Sequence, residues 1–514
     1  MSALHVIAVD TVEQARHTHL RWRQVWLVAA GGVALALLVL PFADLHAWSQ
    51  LALGRHITAH GLPAAEPFSF LPAAHPWVAE GWLRDLLLAG IVAAGGTTLA
   101  SLAVGLSAAG GLILAVLAVR GGDRVPRPWL AAGVVASALV ARPFLTAGAA
   151  VSLLGVGAVL VLLRRWRAGS ARSLWLLPPL FLLWANLDPG FIAGLFIVLV
   201  AWVVAPERPA TRRALLLALV ASLVAAMVNP SGPGLFTAVL ADATAPGAGL
   251  LSGTFASPDF HGWSLRIFEA AAGLLVVCWV AAGRVDRLDL ALGMATIAAA
   301  LWSQQLIPLF AVVAAPQLAG YGGRAWRRLA APRVRLSAQR LPVHLRGAGA
   351  VAGLAAVAIV LVAASVRLAA PAAQAAAESA QTPSAAVTHV ATAYPGQRVY
   401  APAAWGDYLA YRLPEGRVVF IYGTAGSFTP SAVSEYAAIH LLQPSWQTAL
   451  HRSGVRVAVV DQRSQEAGAL HEVGWRLDCF DAASGALVLV APASGVYAPP
   501  GEPLTVPPAG APAC

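Results

Sequence analysis

The chain has 514 residues, 58% of them hydrophobic and only 11% charged, with a formal charge of +10. Soluble domains carry about 25% charged residues, so an ordinary soluble protein is excluded. The Lys/Arg excess sits in short stretches between apolar runs, with no basic stripe interleaved with aromatics, which excludes nucleic acid as a partner.

Residues 1–25 are too polar and too long a lead for a cleaved signal peptide, so the first apolar run is expected to be an uncleaved anchor. A spanning helix needs about 20 mostly apolar residues. Candidate spans are 26–43, 98–119, 128–141, 145–163, 173–187, 190–205, 213–229, 266–283, 287–303, 305–322 and 347–366. That makes about eleven, within a membrane domain over 26–366. Arginines cluster before the first span and after the second, fourth, sixth, eighth and tenth, and this common side is expected to be cytoplasmic. The segment 82–94 is short for a span and carries Arg84 and Asp85. If it crossed, most of the Arg clusters would move outside, so it is expected to be a juxtamembrane helix on the outer face.

The first outer loop, 44–97, then holds Asp44, His46, Arg55, His56, His60, Glu66, His75 and Glu80. Arg142 lies in the turn between the third and fourth spans, Asp188 in the Asn-Leu-Asp-Pro-Gly turn after the fifth, and Arg266 at the start of the eighth. Trp48, Trp77 and Trp82 read as interfacial belt anchors, and Asn229 as a helix stop. Asp44 stands at the membrane boundary, where an ionisable group is costly and a functional role is the default hypothesis. A carboxylate there can act as base for an acceptor hydroxyl, and Arg142 or Arg266 can neutralise a departing phosphate. A base would open onto a cavity near one of those arginines, whereas a structural Asp would cap a helix or face bulk water.

Residues 367–390, rich in Ala, Pro, Gln, Ser and Thr, read as a linker. Strand-like runs at 398–401, 417–422, 455–460 and 485–490 alternate with helical patterns, which predicts a small α/β domain over 391–492 with a largely parallel sheet. The tail 493–514 is Pro/Gly-rich and expected to be irregular. Cys278 lies within a span, while Cys479 and Cys514 could pair if their domain faces an oxidising compartment, and pairing is left open. No phosphate-binding Gly-Lys loop, G-x-S-x-G, HExxH or CxxC occurs in this domain, GTAGS at 423–427 reads as a turn, and the domain is expected to bind an acceptor or partner and not to react.

Several stretches carry a resemblance to the GT-C superfamily of membrane glycosyltransferases, and within it to a prokaryotic group with a soluble C-terminal domain. They are DLHAWSQLALGRHITAHGLP from Asp44, PFSFLPAAHPWVAEGWL from Pro67, Ala141–Pro143, LWANLDPGF from Leu183, Asn229–Gly232, SPDF from Ser257, IPLFAVVAAP from Ile307 and WGDYLAYRL from Trp405. The resemblance implies a lipid-phosphate sugar donor and an acidic base in the first outer loop, where Asp44 stands. This chain departs from the group's pattern at His46, where a second acid is expected, and at Gln50, Gly81 and Asp188.

The sequence therefore predicts a polytopic α-helical membrane protein with a small C-terminal α/β domain facing outward from a prokaryotic plasma membrane. The expected function is transfer of a sugar from a polyprenyl-phosphate donor to a glycan, lipid or protein acceptor of the cell envelope. Asp44 is the candidate base, and His46, Arg55, Glu80, Arg142, Asp188 and Arg266 are candidate substrate contacts. A divalent metal is left open as cofactor, with no metal-ligand spacing visible. The alternatives are a catalytically degenerate scaffold for envelope assembly, which the altered polar positions favour, and a transporter. The spans hold almost no mid-membrane charge and show no internal repeat, which argues against transport.

Overall fold

The computed structural model describes residues 26–42, 44–74, 76–119, 125–204, 209–245, 247–251, 256–330, 359, 362–413, 416, 418–423, 425–492 and 512–514. Expectations for 1–25, His75, the Arg cluster beyond Ala330, most of the span 347–366 and most of the tail fall outside them.

The N-terminal part is a helical bundle: α1 (Trp26–Leu38), α2 (His46–His60), α3 (Trp82–Leu117), α4 (Arg127–Ala141), α5 (Ala147–Arg167), α6 (Leu177–Leu187), α7 (Phe191–Val203), α8 (Pro209–Ala226), α9 (Gly234–Thr244), α10 (Ala248–Leu251), α11 (Trp263–Ala282), α12 (Arg287–Trp302) and α13 (Ile307–Ala330). Among the described residues, four helical stretches are long and apolar enough to cross a membrane: Trp82–Leu117, Ala147–Arg167, Leu265–Ala282 and Gln304–Leu329. Four more apolar helices are shorter, so the expected count of about eleven spans is not reached by length and apolarity. The expected outer helix 82–94 and span 98–119 form one run, broken at Gly95 and Gly96 by non-helical backbone with φ of −152° and 66°.

Small residues set the packing. A Cβ on Gly111 of α3 would stand 2.4 Å from the Leu153 carbonyl of α5, and one on Gly157 would stand 2.3 Å from the Gly111 carbonyl, so these helices meet backbone to backbone. Helix α5 starts with Thr146 accepting the Ala149 N–H at 3.0 Å, which caps it, and ends with Arg164, Arg165 and Arg167, which complement its dipole. At that end Arg164 donates to the Leu117 carbonyl and Arg167 pairs with Asp286 at 2.9 and 3.1 Å. Asp286 N–H donates to the Tyr321 hydroxyl at 2.9 Å, and Arg324 donates to the Arg284 carbonyl at 3.3 Å. The described Arg clusters after α5, after α11 and along α13 thus gather at one end of the bundle. The opposite end of α5 opens onto the site.

The C-terminal part contains α14 (Pro371–Gln381), α15 (Ser384–Ala393), β1 (Val399–Tyr400), α16 (Ala403–Arg412), α17 (Pro430–His440), α18 (Trp446–Ser453), β2 (Val457–Asp461), α19 (Gln465–Glu472), β3 (Arg476–Asp481) and β4 (Ala486–Val490). The segment expected as a linker is folded as α14 and α15. Gln374 accepts the Phe42 N–H at 2.7 Å and donates to Ser101 of α3 at 3.1 Å, which docks α14 on the bundle. The sheet order is β1-β2-β4-β3, parallel only between β1 and β2. The largely parallel sheet expected from the alternation is corrected here. A tight turn with Gly485 at φ 77° joins β3 to β4, and so short a connection allows only antiparallel pairing.

Both sheet edges are covered. Val419, expected within a strand, bridges Val399 of β1 on one side and Ser69 of the first outer loop on the other. Phe70 N–H donates to Val419 and Val419 N–H donates to Phe68, both at 3.2 Å. At the far edge Ala513 bridges Phe480 of β3, and Cys479 is disulfide-bonded to Cys514. Trp48, expected as a belt anchor, is instead 2% exposed and packed edge-on against Phe42 and Tyr408. It sits in a core shared by the outer loop and the C-terminal domain.

Candidate active site

A cavity of about 1140 Å³ lies between the bundle and the C-terminal domain. Its floor is the end of α1 and the starts of α2, α3 and α5, and Tyr422, Gly423, Ser427 and Phe428 of the C-terminal domain form its roof. Asp44, His46, Glu80, Arg142 and Asp188 all line it. Arg55 and Arg266 do not. Arg55 donates to the Tyr411 hydroxyl at 2.6 Å and lies over that ring, while Arg266 is exposed over the ring of Trp263.

Asp44 sits at the N-termini of two helices. Its Oδ1 accepts the His46 N–H of α2 at 3.1 Å, and its Oδ2 faces the Ala147 N–H of α5 at 3.4 Å. Burial raises its carboxyl above the ordinary value of 3.8 and the nearby Asp407 adds to the rise, against the opposing pull of His46 and these two N–H groups. His46 Nδ1 donates to Asp407 Oδ2 at 2.8 Å. Burial alone would lower the imidazole, but the hydrogen bond and charge of Asp407, with the charge of Asp44, outweigh it and push His46 up to about 9. The imidazole is therefore a cation at neutral pH.

The second wall is a carboxylate cluster around one arginine. Arg84 pairs with Asp85 and Asp188, each at 3.0 Å, in a setting where all three side chains are nearly buried. Ser152 Oγ and Gly190 N–H donate to Asp188 at 2.5 and 2.9 Å. Asp188 is thus fully engaged. Glu80 is hydrogen-bonded to Asp242 of α9 and held well above the ordinary carboxyl value, first by burial and then by the Asp242 charge. Two carboxyl groups in contact cannot both ionise cheaply, so the pair keeps a proton. Arg142, in the turn between α4 and α5, is exposed at the cavity, and no described carboxylate pairs with it. Among the described residues no group of three His, Cys, Asp or Glu side chains is placed to hold a metal ion.

Sequence reasoning missed Asp407 as part of this region. Asp407 lies inside WGDYLAYRL, one of the stretches that carried the resemblance, but nothing local linked it to His46. Asn229 behaves as its turn chemistry suggested, donating to the Ala226 and Gly232 carbonyls.

No family model and no curated protein matches the chain. Among solved structures, the fold is similar to the oligosaccharyltransferase of Archaeoglobus fulgidus. The form tethered to an acceptor peptide with the NVT sequon is 14% identical, with a TM-score of 0.47 over 86% of this chain and 69% of that one. The apo form is 15% identical, with a TM-score of 0.44 over 86% and 70% of the two chains. The complex of that organism's AglB with an inhibitory peptide and a dolichol-phosphate is 12% identical, with a TM-score of 0.40 over 86% and 69%. At this level of likeness no residue role and no activity is carried across.

Proposed function

We propose that the chain is a membrane glycosyltransferase that moves a sugar from a polyprenyl-phosphate donor to a cell-envelope acceptor at the outer face. The observation that carries this reading is Asp44, a carboxylate of raised basicity facing a large cavity that also presents the His46 cation and Arg142, with which no described carboxylate pairs. In this reading Asp44 takes the proton of the acceptor hydroxyl as its oxygen bonds to the sugar C1. The C1–O bond to the lipid phosphate breaks, and its electron pair leaves with the phosphate. Arg142 and His46 supply the positive charge that the phosphate needs. Arg266, over Trp263 and away from the cavity lining, is not assigned that role, and Arg55, held at Tyr411, is not assigned a substrate contact. The Cys479–Cys514 disulfide supports an outward-facing C-terminal domain, since such bonds persist in oxidising compartments. The gathering of arginines at the far end of the bundle supports the same orientation.

The test is transfer from labelled polyprenyl-phosphate sugars in membranes, comparing the wild type with Asp44→Asn. A loss of roughly 100-fold or more with normal expression is expected, the usual size of a general-base contribution. Transfer unchanged by the substitution would remove Asp44 as base. One observation favours a second reading, a non-catalytic scaffold: Asp44 also accepts the His46 N–H at the start of α2. Under that reading no donor supports transfer, and Asp44→Asn, which can still accept the His46 N–H, leaves the protein folded.

A further inference from the structure

Asp407 has no place on the cavity wall, yet it touches the wall's cation. Its side chain is wholly buried in α16 of the C-terminal domain, 361 residues from its partner. One carboxylate oxygen accepts from His46 Nδ1 at 2.8 Å, and the other accepts the Gly423 N–H at 3.0 Å. Both oxygens are thus fixed. His46 follows Asp44 by two residues and starts the helix whose first N–H the Asp44 carboxylate accepts. The order Asp44–His46–Asp407 is a line of alternating charge that crosses from the bundle into the C-terminal domain.

We infer that Asp407 is the positioning residue of this site: the C-terminal domain uses it to orient His46 and hold its positive charge beside Asp44. This rests on the reading of Asp44 as base. The reasoning is electrostatic. An isolated imidazole this enclosed sheds its proton, and a neutral His46 would offer no charge to a departing phosphate or to the Asp44 carboxylate. A buried carboxylate locked by a backbone N–H supplies the missing charge at fixed distance. It also selects which ring nitrogen points away from the cavity. The charged or titratable groups around this line are Asp44 ahead of α2, Glu66 with its hydrogen-bonded Tyr422 at the roof, Arg84 at the start of α3 and Arg142 across the cavity. Of these, Asp44 and Asp407 act on His46 directly.

The experiment uses the full chain in nanodiscs, with ¹⁵N-histidine labelling and His46→Gln to assign the resonance. In the wild type His46 is expected to titrate well above the ordinary imidazole value, near 9. In Asp407→Asn, which can still accept the Gly423 N–H, it moves down toward the ordinary value of about 6.5. An unchanged titration overturns the inference whether or not transfer is measurable. Kinetics give the second readout. Asp407→Asn lowers kcat at least about tenfold, as loss of a histidine-orienting carboxylate does, with the KM for acceptor little changed. Added to His46→Gln, it costs nothing more, because it acts only through that ring. Losses that multiply in the double variant, or a loss confined to acceptor KM, overturn it. Absence of transfer from every donor removes the reading of Asp44, while the titration still decides whether Asp407 governs His46.

Discussion

Glu80 and Asp242 show how a polar residue can be present in the wall of a site and yet be unavailable as a charge. Burial, and then the charge and hydrogen bond of Asp242, hold the Glu80 carboxyl well above 4.5, so the folded protein favours its protonated form. A group whose value is raised on folding contributes stability that is complete below its unfolded value and is lost as pH rises through its folded value. Glu80→Gln cannot ionise and escapes that loss. The expected outcome is equal thermal midpoints for the two proteins near pH 4 and a higher midpoint for Glu80→Gln above neutrality, measured by melting in detergent across pH. A variant less stable than the wild type at high pH would show that the pair is not sharing a proton. Asp188 differs in kind: Arg84 pairs with it, and Ser152 and the Gly190 N–H donate to it, so its oxygens are held by the wall itself.

At the scale of elements, helix contacts set by glycine make separable predictions. Gly111→Ala forces a methyl into the Leu153 backbone and is expected to cost about 1–3 kcal/mol as overpacking. Gly110→Ala on the same helix meets only a side-chain methyl of Leu154 at 3.6 Å, and it gains helix propensity. Melting of the two variants in detergent should separate them, and equal behaviour would refute the backbone contact. These elements also show what a sequence reveals. Apolar runs announced most helices, and the Gly95–Gly96 break falls between the outer helix expected from charge and length and the next span. The α14–α15 helices were hidden because an Ala/Pro/Gln composition says nothing about docking, and their order rests on distant partners such as Phe42 and Ser101. Trp48 was misread for the same reason: a tryptophan near a membrane looks like an anchor until Tyr408 is brought against it from the other end of the chain. Asp44, His46 and Arg142 were legible from boundary position and charge, whereas the Asp407 link is a long-range contact that no spacing encodes.

At the scale of the whole molecule, the C-terminal domain is closed at both sheet edges, by the first outer loop and by its own last residues. The disulfide bridges positions 35 apart, and removing it by Cys514→Ser is expected to cost about 2–4 kcal/mol of that domain's stability. Denaturant unfolding with and without reductant checks this: the wild type should shift on reduction and the variant should not. The pairing of residues 68–70 with Val419 has a further consequence for biosynthesis. The loop that supplies this edge strand leaves the ribosome some 350 residues before its partner. A nascent chain halted ahead of Asp407 carries Asp44, His46 and the apolar helices, yet it has no roof, lacks the Asp407 partner of His46 and leaves residues 68–70 unpaired. On the proposed reading the site is therefore incomplete until the C-terminal domain has been translated.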